Sequence, residues 1–80
     1  MFNPKDIEEA IAEKIDCAHL AVEGDGMHFE ALIVSPEFSG LGLLARHRLI
    51  YEALGDELGE AIHALSLKTY APEEWNKENI

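Results

Sequence analysis

Four histidines and a single cysteine are the side chains of this 80-residue chain best suited to metal binding. His28 follows the glycine-rich segment 24–26, and His63 opens a stretch in which apolar and polar residues alternate. Neutral imidazole is a good ligand for zinc, copper or iron. The sequence therefore indicates His28 and His63 as candidate metal ligands. The alternative is that each is a surface or edge histidine without a ligand.

The remaining thiol and imidazole groups fit structural roles. Cys17 has no second cysteine with which to form an internal disulfide, and a small buried hydrophobe is its ordinary role. His47 is in phase with Leu43, Ile50 and Leu54, which predicts a packed, hydrogen-bonded side chain on the buried face of a helix. A chain with one cysteine and several histidines cannot build a self-contained four-thiolate centre.

No motif for enzymatic chemistry is present in the sequence. It contains no Gly-x-Ser-x-Gly, no phosphate-binding loop that ends in Gly-Lys-Ser/Thr, and no His-Glu-x-x-His. The many carboxylates are typical of a solvated acidic surface. We therefore expect a protein that is not an enzyme.

The charge balance disfavours polyanionic partners. Six basic residues against sixteen acidic ones give a net charge of −10 at neutral pH. Proteins that bind nucleic acid usually carry a basic face, since phosphate contacts supply most non-specific affinity. Arg46, Arg48 and Lys68 are the plausible contacts if nucleic acid binds at all. The chain has no long apolar run and no signal-peptide pattern, so we expect a cytoplasmic protein without a membrane partner.

The periodicity of apolar residues predicts one domain over residues 1–80. Asn3 caps a helix over 4–16. One strand follows Cys17 and a second covers 27–35, with a turn between them, and a second helix covers 43–54. A short helical turn over 56–61, a third strand over 62–69 and a helix from Pro72 complete the chain, with Trp75 as an anchor. The expected class is α+β, in the order α-β-β-α-α-β-α. The third strand of the mixed sheet should run parallel to one hairpin strand, with helices on one face.

Several blocks of this sequence closely resemble the BolA family. They follow one another in the family's order and extend over nearly the whole chain: GDGMHFE at 24–30, VSPEFSG at 34–40, RHRLIY at 46–51, IHALSLKTY at 62–70 and PEEW at 72–75. The first block is most similar to the short bacterial branch, the YrbA (IbaG) type. The resemblance implies a fold similar to class II KH domains, in agreement with the element order.

The resemblance also implies a function. BolA-like proteins are partners of monothiol glutaredoxins, with which they form heterodimers around a bridging 2Fe-2S cluster. The glutaredoxin and glutathione each give a thiolate, and the isolated BolA-like chain holds no cofactor. The family's signature histidine falls on His63, and His28 matches the ligand from the loop between the first two strands. Some members carry a cysteine earlier in that loop, where this sequence has Asp25.

The resemblance leaves a second function open. Some BolA-like proteins are described as stress-responsive transcriptional regulators, and KH-like folds often bind nucleic acid. The segment 55–59 departs from the Gly-x-x-Gly clamp of KH domains, and the acidic charge opposes phosphate binding. Cluster trafficking, maturation or iron sensing with a glutaredoxin is therefore the expected function. DNA binding is the alternative, and the free protein could form a weak homodimer.

Overall fold

The computed structural model of the chain describes residues 3–25, 27–55 and 65–78. It forms, in order, α1 (Pro4–Lys14), β1 (His19–Gly24), β2 (Phe29–Val34), α2 (Leu43–Leu54), β3 (Leu65–Tyr70) and α3 (Pro72–Glu78), with a 3-10 turn (Pro36–Phe38) between β2 and α2. The α+β class and the order of these elements are confirmed. The short helical turn predicted over 56–61, the strand start at Ile62 and the candidate ligand His63 lie outside the described residues.

The first helix begins where its sequence predicts. The side chain of Asn3 accepts a hydrogen bond from the backbone of Asp6, and the Asp6 carboxylate accepts one from the backbone of Asn3. This capping box satisfies two of the N–H groups that a helix start leaves unpaired. The helix ends at Lys14, slightly before the predicted end, because Ile15 adopts an extended backbone conformation.

The three strands form one mixed sheet with β2 at its centre. β1 runs antiparallel to β2, and β3 runs parallel to it, as predicted. In register, Gly24 and Leu65 flank Phe29 at one end of the sheet, which we call the hairpin end. At the other end, His19 and Tyr70 flank Val34.

The hydrophobic core lies between the sheet and the helices. α1 packs on β1 and α2, and α2 packs on β3. The core residues come from α1, from α2, from the hairpin strands β1 and β2, and from the segments beside them: Ile7, Ile11, Ile15, Val22, Phe29, Ala31, Ile33, Phe38, Ile50, Leu54 and Ala71. The alternate strand positions form the outer face of the sheet, where Glu23, Glu30, Ser66 and Lys68 are exposed. Helices α1 and α2 therefore cover one face of the sheet, as predicted.

The buried stripe of α2 differs from the predicted one. Leu43 was expected on the buried face, but 64% of it is exposed, and its neighbour Leu44 is also exposed. The buried positions are Arg46, Ile50 and Leu54, which recur every four residues. The stripe includes an arginine because the fold supplies this cation with partners in the interior.

Arg46 is held by four hydrogen bonds. Its Nε donates to the carbonyl of Leu41 at 2.9 Å, and its Nη1 donates to the carbonyl of Thr69 at 3.3 Å. Nη1 and Nη2 also donate to the two carboxylate oxygens of Glu74, at 2.7 and 3.1 Å. A bidentate arginine–carboxylate pair is among the strongest side-chain contacts. Arg46 is therefore bound to an acidic side chain within the domain.

Glu74 also organises the start of α3. Its Oε1 accepts the backbone N–H of Ala71 at 2.7 Å, at a position where alanine has no polar side chain to cap the helix. The hydrogen bonds from Arg46 and then that from Ala71 lower the pKa of the Glu74 carboxyl from 4.5 to about 2. One carboxylate thus joins α2, β3 and α3.

Among the described residues no helix has the length and apolar composition needed to cross a bilayer.

The low pKa of Glu74 predicts a pH-dependent contribution to stability. A carboxyl group whose pKa is lower in the folded state stabilises that state fully above its ordinary pKa of 4.5, and this contribution is lost as the pH falls towards 2. Glu74→Gln should therefore lower the unfolding temperature at neutral pH, and the difference from wild type should shrink below pH 4.5. Thermal unfolding followed by circular dichroism measures both. Glu52→Gln, at an exposed site on α2, is the matched control. A pH-independent difference would contradict the prediction.

Candidate functional site

His28 lies in a tight turn at the hairpin end of the sheet. The backbone N–H of Asp25 donates to the carbonyl of His28 at 3.2 Å. The Oδ1 atom of Asp25 accepts the backbone N–H groups of Met27 and His28 at 2.8 and 2.9 Å. These hydrogen bonds, that from His28 first, lower the pKa of the Asp25 carboxyl. Asp25 thus fixes the backbone that carries His28.

Gly24 permits this turn because the hairpin folds back closely on it. A Cβ atom at this position would lie 2.5 Å from the carbonyl oxygen of His28 and 2.5 Å from the ring of Phe29. Real Cβ atoms do not approach other heavy atoms so closely. The glycine that the sequence offers as a turn signal is therefore needed for close approach of the chain.

The imidazole of His28 is exposed and borders a groove on the outer face of the sheet. The groove has a volume of about 370 Å³, and its walls come from the hairpin and from β3: Glu23, Gly24, Asp25, His28, Phe29, Glu30 and Ser66. None of the hydrogen bonds within the described residues involves the ring nitrogens of His28. The described residues therefore leave both ring nitrogens of His28 unused.

The strand register indicates where the chain returns to this end of the sheet. β3 begins at Leu65, which pairs with Phe29, the residue directly after His28. His63 precedes Leu65 by two positions in the sequence and lies outside the described residues. The described strands thus bring the chain to the hairpin end immediately after the predicted ligand position.

Cys17 has the properties of a structural residue. It is half-buried, and its Sγ donates to the carbonyl of Ile15 at 3.4 Å. Burial, followed by the neighbouring carboxylates of Asp16 and Glu37, raises the pKa of the thiol above 9.0. Since the thiolate is the form that binds metals, this environment disfavours ligation.

An aromatic cluster occupies the opposite end of the sheet and was not predicted as a unit. Trp75 lies 5.6 Å from the ring of His19 and 5.4 Å from the ring of Tyr70, measured between centroids. Val34 pairs with His19 on one side and with Tyr70 on the other, and it is fully buried. Trp75 thus anchors α3 as predicted, and it does so on the outer face. His19 belongs to this structural cluster, far from His28 along the strands.

His47 is packed, as its position in the helix predicts. Its ring meets that of Tyr51 edge-on at 6.3 Å, and its Nε2 atom is buried. No described residue forms the expected hydrogen bond with Nε2. His47 lies on α2, across the sheet from the groove that His28 borders.

The three cations of the nucleic-acid alternative do not form one surface. The guanidinium of Arg46 is buried and bound to Glu74 and two carbonyls, so it is a structural group. Arg48 is exposed on α2, whereas Lys68 alternates with the core-facing residues of β3 and is exposed on the other face of the sheet. Of these three cations, only Arg48 and Lys68 are exposed, and they lie on opposite sides of the domain.

The described part of the chain holds no group of three or more histidine, cysteine, aspartate or glutamate side chains arranged to bind a metal ion. A lone exposed imidazole in a firmly held turn can contribute one ligand to a metal centre, and the rest must come from elsewhere.

Comparison with known proteins establishes the family. The fold and the histidine-bearing hairpin define a small α+β domain, and residues 6–74 match the BolA-like protein family. The chain belongs to this family. It is 44% identical over 61 residues to the DNA-binding transcriptional regulator BolA of Vibrio cholerae, an alignment that covers 76% of this chain and 58% of that protein. The chain thus spans little more than half the length of this relative.

Solved structures agree with the family assignment. A BolA homologue from Coxiella burnetii is 45% identical, with a TM-score of 0.81 over 95% of this chain and 99% of the other. The BolA domain of SufE1 from Arabidopsis thaliana is 38% identical, with a TM-score of 0.76 over 89% of this chain and 93% of the other. These similarities support the family without separating its short bacterial branch, which stays a prediction.

The close approach at Gly24 predicts that any side chain there disrupts the turn. Gly24→Ser should destabilise the protein by about 1–3 kcal/mol, because its Cβ would collide with the His28 carbonyl and the Phe29 ring. Gly42→Ser is the matched control, since Gly42 is the N-cap of α2 and has open space around it. Serine there should be neutral or slightly stabilising. Urea unfolding of both variants measures the difference, and equal stabilities would contradict the prediction.

Proposed function

We propose that this protein is a non-enzymatic partner of monothiol glutaredoxins that helps to bind a bridging 2Fe-2S cluster. His63 and His28 would supply this chain's ligands, and the glutaredoxin and glutathione would each supply a thiolate. The cluster is a shared cargo, held only in the complex. The role would lie in trafficking or maturation of iron–sulfur clusters, or in iron sensing.

The parallel pairing of β2 with β3 is the observation that carries this proposal. It aligns Phe29 with Leu65, so that the chain leaves the His28 turn and enters β3 at the same end of the sheet. A residue just before Leu65 therefore lies only a few chain positions from that end of the sheet. Two histidines that lie 35 positions apart in the sequence are thereby expected to serve one site.

The chemistry of the described residues fits shared ligation. The imidazole of His28 is exposed and makes no hydrogen bond with a described residue, while the thiol of Cys17 is held protonated by burial. A 2Fe-2S cluster needs four ligands, and imidazole in place of thiolate raises its reduction potential. A chain that offers imidazoles alone needs thiolates from a partner. The likeness to the BolA domain of Arabidopsis SufE1 favours a place in iron–sulfur pathways.

A visible absorption and circular dichroism titration tests the proposal. A cluster-loaded monothiol glutaredoxin with glutathione is titrated with wild-type protein and with His63→Ala, His28→Ala and His19→Ala. Wild type should give a saturable spectral change that is lost in His63→Ala and altered in His28→Ala. His19→Ala is the matched control, because His19 packs on Trp75 at the opposite end of the sheet and should behave as wild type.

Two results would contradict the proposal. If equimolar wild-type protein left the spectrum unchanged, the shared cluster would be ruled out. If His63→Ala gave the wild-type spectrum, His63 would not be a ligand. The Cys17→Ser variant should give the same spectrum as wild type, because the raised pKa of Cys17 keeps its thiol protonated.

DNA binding is the second candidate, and the name of the Vibrio cholerae relative favours it. The net charge of −10 and the internal use of Arg46 oppose it. The exposed cations that remain, Arg48 and Lys68, point to opposite sides of the domain. This function would therefore need the other exposed lysines, Lys5, Lys14 and Lys77, or a second molecule to complete a basic surface.

A mobility-shift assay with duplex DNA distinguishes the two functions. At physiological ionic strength we expect no binding below micromolar protein concentration, since few cations are available to displace counterions. A salt-dependent shift that Arg48→Gln or Lys68→Gln weakens would instead establish the regulator function. The double variant Arg48→Gln, Lys68→Gln should give the same result as wild type in the glutaredoxin titration.

A further inference from the structure

An open cavity lies beside the ion pair between Arg46 and Glu74. Its volume is about 520 Å³, which is within the range of small-molecule sites. Thr69 pairs with Ile33, near the end of β2 that is farther from the His28 turn. The lining residues come from α2, from the end of β3 and from α3: Arg46, Thr69, Tyr70, Glu74 and Lys77.

The fold leaves the hydroxyl of Thr69 unsatisfied. Thr69 lines the cavity and is only 9% exposed. Its Oγ1 atom is buried, and within the described ranges it has no hydrogen-bond partner. A buried hydroxyl without a partner costs stability, and a valine of nearly the same shape lacks that cost. An unsatisfied polar group in the wall of a cavity therefore indicates a ligand that satisfies it.

The guanidinium of Arg46 has one further N–H to offer. It carries five N–H groups in a planar fork, and its four hydrogen bonds use one at Nε, two at Nη1 and one at Nη2. Both oxygens of Glu74 already accept hydrogen bonds, Oε1 from Arg46 and Ala71 and Oε2 from Arg46. The lining therefore presents hydroxyl and N–H donors, and a ligand with acceptor oxygens fits them.

The charge of the lining also selects an anion. Arg46 and Lys77 each bring one positive charge, and Glu74 brings one negative charge. Glu74 stays ionised at neutral pH because the hydrogen bonds from Arg46, and then that from Ala71, lower its pKa to about 2. The lining thus has a net charge of +1 on a chain whose net charge is −10. A single negative charge matches it, whereas Glu74 would repel a second one.

We propose that the cavity binds a small organic carboxylate, whose oxygens accept hydrogen bonds from the hydroxyl of Thr69 and from Nη2 of Arg46. Rotation about χ1 exchanges the hydroxyl and methyl positions of a threonine, and this brings Oγ1 from its buried position to the cavity wall. Lys77, exposed in the last turn of α3, supplies the counter-charge, and half-buried Tyr70 adds an aromatic side chain. The inference is independent of the proposed function, since this cavity and the groove beside His28 are formed by different residues.

A titration followed by amide NMR shifts tests the cavity with benzoate as the probe. Benzamide, which has a similar shape and no charge, is titrated at matched ionic strength. Benzoate should give saturable shifts at Thr69, Tyr70 and Lys77 and none at His28, whereas benzamide should give none. Inorganic phosphate, whose charge at neutral pH exceeds that of a carboxylate, should bind more weakly than benzoate.

Two variants of Thr69 separate a binding role of the hydroxyl from a structural one. Thr69→Val should bind benzoate about tenfold more weakly, since a hydrogen bond to a charged group is lost. Its unfolding temperature without ligand should equal or exceed that of wild type, because the unsatisfied hydroxyl is gone. Thr69→Ser keeps the hydroxyl and should keep most of the affinity.

A charge variant tests the counter-ion. Lys77→Gln should weaken benzoate binding about threefold, the size of effect expected for an exposed cation. Lys14→Gln is the matched control, because Lys14 is the basic residue in the last turn of α1 as Lys77 is in that of α3. This control should bind benzoate as wild type does.

The inference would be overturned by any of several results. No saturable shifts at millimolar benzoate, or equal binding of benzamide, would exclude a carboxylate site. Tighter binding of phosphate would exclude the ligand class. Wild-type affinity in Thr69→Val, or a lowered unfolding temperature of that variant, would show that the hydroxyl serves the fold and not a ligand. None of these results bears on the glutaredoxin titration, so the proposed function is tested separately.

Discussion

The bidentate ion pair between Arg46 and Glu74 is the interaction on which the arrangement of the elements depends. It places a charged side chain on the buried stripe of α2, and that charge is tolerated because two carbonyls and a carboxylate satisfy it. The same carboxylate caps α3 through the N–H of Ala71. The crossover helix, the third strand and the last helix are therefore fixed to one another at a single point. Removal of either partner would leave the other group without its counter-charge.

The central position of β2 decides which residues can act together. Its antiparallel neighbour brings a tight turn to one end of the sheet, and its parallel neighbour brings the end of the crossover to that same end. The opposite end is closed by Trp75, which packs between His19 and Tyr70. The two ends thus have different tasks, one structural and one available for binding. The histidines divide accordingly, with His28 at the open end and His19 at the closed one.

The hairpin end combines a rigid backbone with an unfavourable charge distribution. The Asp25 carboxylate fixes the turn through two backbone N–H groups, so that His28 is presented from a preorganised segment. Preorganisation lowers the ordering cost of binding. The exposed side chains of Glu23 and Glu30 lie opposite each other beside this turn, where like charges lower the stability of a sheet.

The sequence by itself determined the elements and their order, because the signals for them are local. Asn3 begins α1, Gly55 ends α2 with a positive φ of 69°, and the period of apolar residues separates helices from strands. The histidines were also accessible as candidates, since imidazole chemistry is a property of the residue type. Only the tertiary structure decided that Arg46 and not Leu43 faces the interior. Helical periodicity fits either, and the carboxylate that makes a buried guanidinium acceptable lies 28 positions away in the sequence. The groove that His28 borders was equally out of reach, because its walls come from three strands and only their register makes them neighbours.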